Sequence, residues 1–417
     1  MTCEASERIA TSAWDVAIIG AGVAGGALAF TLARGGLQVL LLERSSAFED
    51  IVRGEWLAPW GVAEAHRLGL HAHYLEHGAN VLDTHASYCE TLDSESAPRF
   101  DLARLMGAQQ LPLCMPHALM CETLATAATA AGATLLRGVK RTQVTPGPRP
   151  RVQFEHGGRT HVLSPRLVVG ADGRNGFTAR QVGVAMHEDA PRHLLAGLRV
   201  RGADGWPPAL QCMSTEGEMH AQVFPQGDGH VRLYAAIPLE RRAWLLGDQG
   251  AERLLASFRL RSVPESAALA AAIPAGPCRV YPNHHTWAAT PWAPGCALIG
   301  DAAGRNDPTT GQGLSLCHWD ARVLGELLLA TPTWDDALLR HYGELRGATL
   351  ARLRASSRFC TTRDTTFGEE GRTLRMRIRT RTLSDPLVRA LTLSPLVGPM
   401  HTPAEAYAES NILSAIA

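Results

Sequence analysis

Short, wholly apolar runs separated by glycine-rich turns mark the first half of the chain, and arginine crowds its last quarter. Trp14-Asp15-Val16-Ala17-Ile18-Ile19 has the length and β-branched content of a strand. Behind it lie the turn Gly20 to Gly25, a small-residue helix from Gly26 to Arg34, a Gly35-Gly36 break and a second strand, Leu37 to Leu42. Two more apolar strands, 166–169 and 296–299, also run into glycine-rich turns. Strand-like runs at Leu194 to Val200, His220 to Phe224 and His230 to Ala236 predict a second sheet, with Pro225 to Gly229 as a hairpin turn. Leu314, Cys317, Ala321, Leu324 and Leu328 keep helical spacing and predict a long helix over 311–330. Another helix is expected from Thr333 to about Ser356. The pattern predicts an α/β protein.

Composition narrows the function classes. The 417 residues carry 40 basic and 40 acidic side chains, so no basic excess is available for nucleic-acid phosphates. Lys140 is the single lysine, which leaves almost no room for lysine-based covalent chemistry. The nine cysteines form no Cys-x-x-Cys pair, and no Cys/His cluster has metal-ligand spacing. No disulfide framework and no metal are expected. Residues 16–33 are free of charge and long enough to suggest a membrane span, but four glycines interrupt them. A cytoplasmic protein without a membrane span follows.

The opening motif carries chemistry. Gly20-Ala21-Gly22-Val23-Ala24-Gly25 matches G-x-G-x-x-G in strand-turn-helix context, and Glu43 ends the next strand. Gly20 permits the tight turn, Gly22 lets backbone approach a pyrophosphate, and Gly25 lets the helix pack on the strand. The helix N-terminus presents free N–H groups to phosphates, and Glu43 can accept bonds from ribose hydroxyls. The second motif is Gly170-Ala171-Asp172-Gly173. The third is Gly300-Asp301-Ala302-Ala303-Gly304, followed by Asp307-Pro308-Thr309-Thr310-Gly311-Gln312-Gly313. There a carboxylate ends a strand, and a new helix begins with outward-facing amides.

Together, in this order and spacing, the three motifs resemble the FAD-dependent class A monooxygenases, the para-hydroxybenzoate hydroxylase fold family. The resemblance implies a Rossmann-like FAD-binding domain, an inserted mixed-sheet substrate domain and a helical C-terminal segment. It implies residues 1–75, 112–189 and 276–355 for the first, 76–111 and 190–275 for the second, and 356–417 for the third. It implies that Gly20, Gly22, Val23, Ala24, Gly25 and Glu43, with Arg44 beside them, bind the cofactor, and that Gly300 and Asp301 hold its ribitol. Pro308, Gly311, Gln312 and Gly313 would surround the flavin ring, and no side chain need act covalently. Asp172 and Gly173 belong to a motif linked to both FAD and NAD(P)H, although Gly176 and Ala179 depart from its usual continuation. His117, in Met115-Pro116-His117-Ala118-Leu119, and Arg53 are candidate flavin-side residues.

The implied activity is NAD(P)H- and O2-dependent oxygenation of a small aromatic or polyketide-like, secondary-metabolite substrate through a flavin hydroperoxide. Gly304, Asp307-Pro308 and Gly54-Glu55-Trp56-Leu57-Ala58-Pro59 resemble instead the branch of geranylgeranyl-type reductases and flavin halogenases. A flavin reductase of an alkene or prenyl chain is therefore the alternative. A halogenase would require a tunnel lysine and a Trp-x-Trp-x-Ile-Pro motif, and the chain has neither. A non-catalytic flavin-binding protein is the remaining class.

Two features stay outside these motifs. His284 and His285 lie in the strand region that feeds the third motif and are read either as substrate contacts or as ordinary edge-strand residues. Residues 351–381 hold nine arginines and three acids, with Arg375, Arg377, Arg379 and Arg381 alternating. A salt-bridged helix over the FAD domain and a phosphate landing site for NADPH are both consistent with that composition.

Overall fold

In the computed structural model the described residues are 13–50, 52, 54–92, 97 and 99–417. The first apolar run forms the strand Val16–Ile19, buried throughout and central in a six-stranded sheet. It pairs in parallel with Val39–Glu43 on one side and with Leu167–Gly170 on the other. Thr134–Arg137 and Cys296–Leu298 extend the sheet, and Trp292–Ala293 closes one edge in antiparallel. Strands buried on both faces read as continuous apolar runs, which is why VAII, VLLLE and LVVG stood out in the sequence.

Register then does the positioning. Ile19 lies opposite Leu42 and Gly170, and Gly170 lies opposite Leu298. Glu43 ends its strand, and the residues following the others are Gly20, Ala171-Asp172 and Ile299-Gly300-Asp301. Three motifs separated by well over a hundred residues thus emerge at one carboxyl edge, where open α/β sheets bind ligands. Helix Val23–Arg34 covers one face and packs against helices His117–Ala130 and Gly313–Ala330.

The second sheet contains Thr84–Cys89, Arg99–Asp101, His193–Arg201, Leu210–Glu216, Met219–Gly227 and His230–Ile237. The three runs expected as strands are present and slightly longer, and the last two are joined as a hairpin. Arg279–Asn283, grouped with the FAD-binding residues by the sequence reading, pairs with residues 193–197 of this sheet. Alternation sorts its side chains. Leu194, Ala196, Leu198, Val223, Leu233 and Ala235 pack with Leu254 and Phe258 in a separate core, whereas Leu195, Phe224 and Tyr234 join the core of the nucleotide lobe.

The C-terminal segment is helical: Asp336–Thr365, Gly368–Ser384, Pro386–Val397 and Glu409–Ile416. The first of these starts and ends later than the expected helix, since Asp335 caps it by accepting from the N–H groups of Ala337 and Leu338. The alternating arginines lie on helix Gly368–Ser384. Buried Arg375 donates to the carbonyls of Arg363 and Thr366, Arg377 to Ile416 and Arg381 to Ser414. They tie helix ends together.

Among the described residues no helix is long and apolar enough to cross a membrane.

Candidate active site

A cavity of about 960 Å³ runs along the carboxyl edge of the six-stranded sheet and continues beneath the second sheet. Gly20, Gly22, Val23, Ala24, Glu43, Arg44, His117, Asp172, Gly173, Asp301, Pro308, Gly311 and Gly313 all line it. Residues implied by three separate motifs are therefore brought to one space. Leu195, Met213, Phe224 and Tyr234 from the second sheet and Trp56 from the strand Trp56–Leu57 form an apolar wall.

The turn at one end is built for close backbone approach. Gly20 takes φ +101°, and a Cβ there would lie 2.4 Å from the Ala171 carbonyl oxygen. A Cβ on Gly25 would meet the Gly20 carbonyl oxygen at 1.9 Å, so this glycine is needed for helix-on-strand packing rather than for cavity contact. A Cβ on Gly22 would meet nothing within 4 Å, and this backbone is open to the cavity. Buried Glu43 accepts from the N–H groups of Ala21 and Ser45, both at 2.8 Å, which fixes its carboxylate beside the turn. An elongated dinucleotide fits this donor set: exposed helix N–H groups for a pyrophosphate and an oriented carboxylate for a ribose.

At the third motif, Gly300 N–H donates to Asp320 Oδ2 at 2.7 Å. Asp320 pairs with Arg346 at 3.0 Å, and Arg346 donates onward to the carbonyls of Gly300, Ala303 and Gly304. Both side chains are buried and neither lines the cavity. They hold the turn that carries Asp301. Beyond it, Asp307 accepts from Thr309 N–H at 2.9 Å and faces His193 at 3.5 Å. Burial pushes the Asp307 carboxyl up, but the His193 and Thr309 bonds outweigh it and hold it below its ordinary value. Gly311 takes φ +70°, and a Cβ there would fall 2.5 Å from the Trp56 ring.

The match that decides the family spans residues 13–356 and is to the FAD binding domain. The chain belongs to the FAD-binding domain family. This FAD-binding protein is 26% identical over 361 residues to menaquinone reductase of Mycolicibacterium smegmatis, covering 81% of this chain and 83% of that one. It is 27% identical over 323 residues to squalene epoxidase erg1 of Aspergillus fumigatus, covering 75% and 66%. The solved p-nitrophenol 4-monooxygenase PnpA of Pseudomonas putida superposes with a TM-score of 0.78 at 17% identity, over 93% of this chain and 98% of that one. The fold is that of the para-hydroxybenzoate hydroxylase family, and the protein is an FAD-dependent oxidoreductase.

Several expected residues sit differently from their sequence reading. Gln312 does not line the cavity: its Oε1 accepts from Trp60 Nε1 at 2.7 Å, and its Nε2 reaches the Pro395 carbonyl at 3.2 Å. The long helix opens at Gly313, with Gln312 as its N-cap. His117 lines the cavity and is held by the Gly54 carbonyl at 3.2 Å. Arg53 lies outside the described residues. His284 and His285 fall between strands and do not line the cavity; the first bonds Arg305 at 2.8 Å, and the second accepts from Asp307 N–H at 3.0 Å. Asp172 Oδ2 accepts from Phe177 N–H, Thr178 N–H and the Thr178 hydroxyl, so it braces its own turn.

Sequence reasoning missed Asp320, Arg346, His193 and Tyr234. Arg346 occurs on a helix rich in charge, where nothing separates a buried ion pair from a solvated one, and its partner Asp320 stands far away in sequence on a mostly apolar helix.

Proposed function

We propose that the protein is a monooxygenase that uses NAD(P)H and O2 to hydroxylate or epoxidise a small aromatic or polyketide-like compound. One observation carries this reading. The cavity is continuous from the Gly22 and Glu43 end, past Asp301 and the Pro308 to Gly313 loop, to the apolar wall of the second sheet. A cofactor lying along the first part would present its reactive end to a substrate held in the second.

When bound, FAD would supply reduction by NAD(P)H and activation of oxygen. Glu43 and the helix N-terminus at Val23 would hold its ADP end, with Asp301 along its ribityl chain; Gly300, expected beside it, does not line the cavity and gives its N–H and carbonyl to Asp320 and Arg346. The amide of Gly313 and the start of helix Gly313–Ala330 would offer positive potential to a reduced flavin ring. Trp56, Leu195, Met213 and Phe224 would exclude water from the reacting region.

A reductive reading has its own support, since menaquinone reductase is among the relatives and Gly304 with Asp307-Pro308 follows the reductase-like pattern. Product analysis over a substrate panel with NAD(P)H, with and without oxygen, separates the two. Oxygenated products that vanish without oxygen support the monooxygenase; reduced products formed without oxygen support the reductase.

A further inference from the structure

The outer face of the C-terminal helices takes no part in the cavity, yet it mixes arginine with large apolar side chains left in water. On helix Gly368–Ser384, Met376 is 53% and Leu383 77% exposed; on helix Glu409–Ile416, Leu413 is 50% exposed. Leu383 follows Met376 by seven residues, about two helical turns, so the two share one stripe of the helix surface. Exposed Arg379 falls on the same stripe, and Arg377 and Arg381 flank it.

Hydrogen bonds join these helices into a single surface. Arg377 donates to the Ile416 carbonyl at 3.0 Å and Arg381 to the Ser414 carbonyl, which sets Leu413 beside both arginines. Arg389, on helix Pro386–Val397, donates to the carbonyls of Thr382 and Leu383, so a cation flanks Leu383 as well. Carbonyls carry no net charge, and these bonds place the guanidiniums without neutralising them. Among the described residues, Arg381 alone of these four arginines is ion-paired, with Asp385 at 2.8 Å. The interleaving decides what can cover the face. A second copy would set like charges against one another about the symmetry axis. An apolar protein surface would have to strip water from the arginines along with the leucines. The headgroup layer of an anionic bilayer instead offers phosphates at the level of the guanidiniums and hydrocarbon just beneath for the apolar side chains.

We propose that this face docks the protein on the surface of a bilayer containing anionic lipids, with helix Gly368–Ser384 lying along the headgroups. Met376, Leu383 and Leu413 enter the acyl boundary, and Arg377, Arg379, Arg381 and Arg389 meet lipid phosphates. The protein lies on the membrane and does not cross it; among the described residues no helix is long and apolar enough to do so. The docked face is tied to the cavity, because Pro395, on the same helix as Arg389, accepts from Gln312 Nε2 at 3.2 Å. Docking therefore orients the whole molecule rather than a loose tail. The inference stands apart from the choice between oxygenation and reduction, and its test needs no turnover.

The test sediments the FAD-loaded full chain with vesicles of phosphatidylcholine alone, or of phosphatidylcholine and phosphatidylglycerol in equal parts. Binding is expected to the vesicles that contain phosphatidylglycerol, far more weakly to phosphatidylcholine alone, and less as salt is raised. Arg379→Gln should weaken it about five-fold, the worth of one arginine near an anionic surface. Leu383→Ser should weaken it about ten-fold with every charge in place. Both side chains are exposed, so FAD retention and thermal unfolding of the two variants should match the unaltered protein. No binding to the anionic vesicles, equal binding to both kinds, or binding undiminished in Leu383→Ser overturns the proposal. A dimer in solution that Leu383→Ser dissociates would assign the face to a second copy and overturn it too.

Discussion

Arg346 and Asp320 form a buried ion pair that also closes the turn carrying Asp301: the arginine holds three of its carbonyls and the aspartate holds the Gly300 N–H. Removing either partner leaves the other charge buried and unpaired, and it also releases the turn. Arg346→Leu and Asp320→Leu should each lower stability by roughly 3–5 kcal/mol. The double variant should lose less than the sum. Urea unfolding of the four proteins measures the coupling, and strict additivity would show that the two groups act independently.

Gly22 and Gly25 are three residues apart and should fail in different ways. Gly25→Ala drives a methyl into the Gly20 carbonyl and should cost roughly 1–3 kcal/mol of stability even without FAD. Gly22→Ala meets no protein atom, so its unfolding should match the unaltered protein while FAD affinity falls. Thermal unfolding of the FAD-free proteins, followed by FAD titration, distinguishes them. A destabilised, FAD-retaining Gly22→Ala would contradict the open backbone assigned to this position.

Glu43→Ala and Asp301→Ala test the two ends of the proposed cofactor site. Each should weaken FAD retention by about ten-fold or more, the size of one charge-assisted hydrogen bond. Glu43→Ala also releases the Ala21 N–H, so a small loss of stability should accompany it. Fluorescence of released flavin during dialysis reads both, and a fully loaded Asp301→Ala protein would show that the ribitol assignment is misplaced.

The nucleotide lobe was readable because its strands are buried on both faces and end in turns that glycine alone can make. The second sheet was readable for a related reason, since its alternating strands serve two cores. Residues that act through long-range pairing were not. Arg346 sits in a helix with Arg340, Arg352 and Arg354, and only the fold separates it from them. Gln312 shows the converse error: it lies inside the motif, but its side chain serves Trp60 and Pro395. Glu55 was visible within its motif, while Tyr234, whose hydroxyl donates to the Glu55 carboxyl group, looked like one more sheet residue.

Burial gives Glu55 a pH signature of its own. Its carboxyl group rises from 4.5 to about 7 in the folded protein, so the folded state holds a proton that the unfolded chain gives up. The stability this contributes is complete below about pH 4.5 and is lost as pH rises through about 7. Glu55→Gln cannot ionise and should remove this fall. Unfolding free energies at several pH values across that window provide the check, and parallel curves for the two proteins would mean that Glu55 ionises normally.

The most direct test of the oxygenating function is to supply heavy-isotope dioxygen to the FAD-loaded protein with NAD(P)H and a panel of phenols, enols and polyketide-like aromatics. The account predicts a product that gains one labelled oxygen atom per molecule and does not form when oxygen is withheld. A product that gains hydrogen, carries no label and forms equally well without oxygen would contradict it.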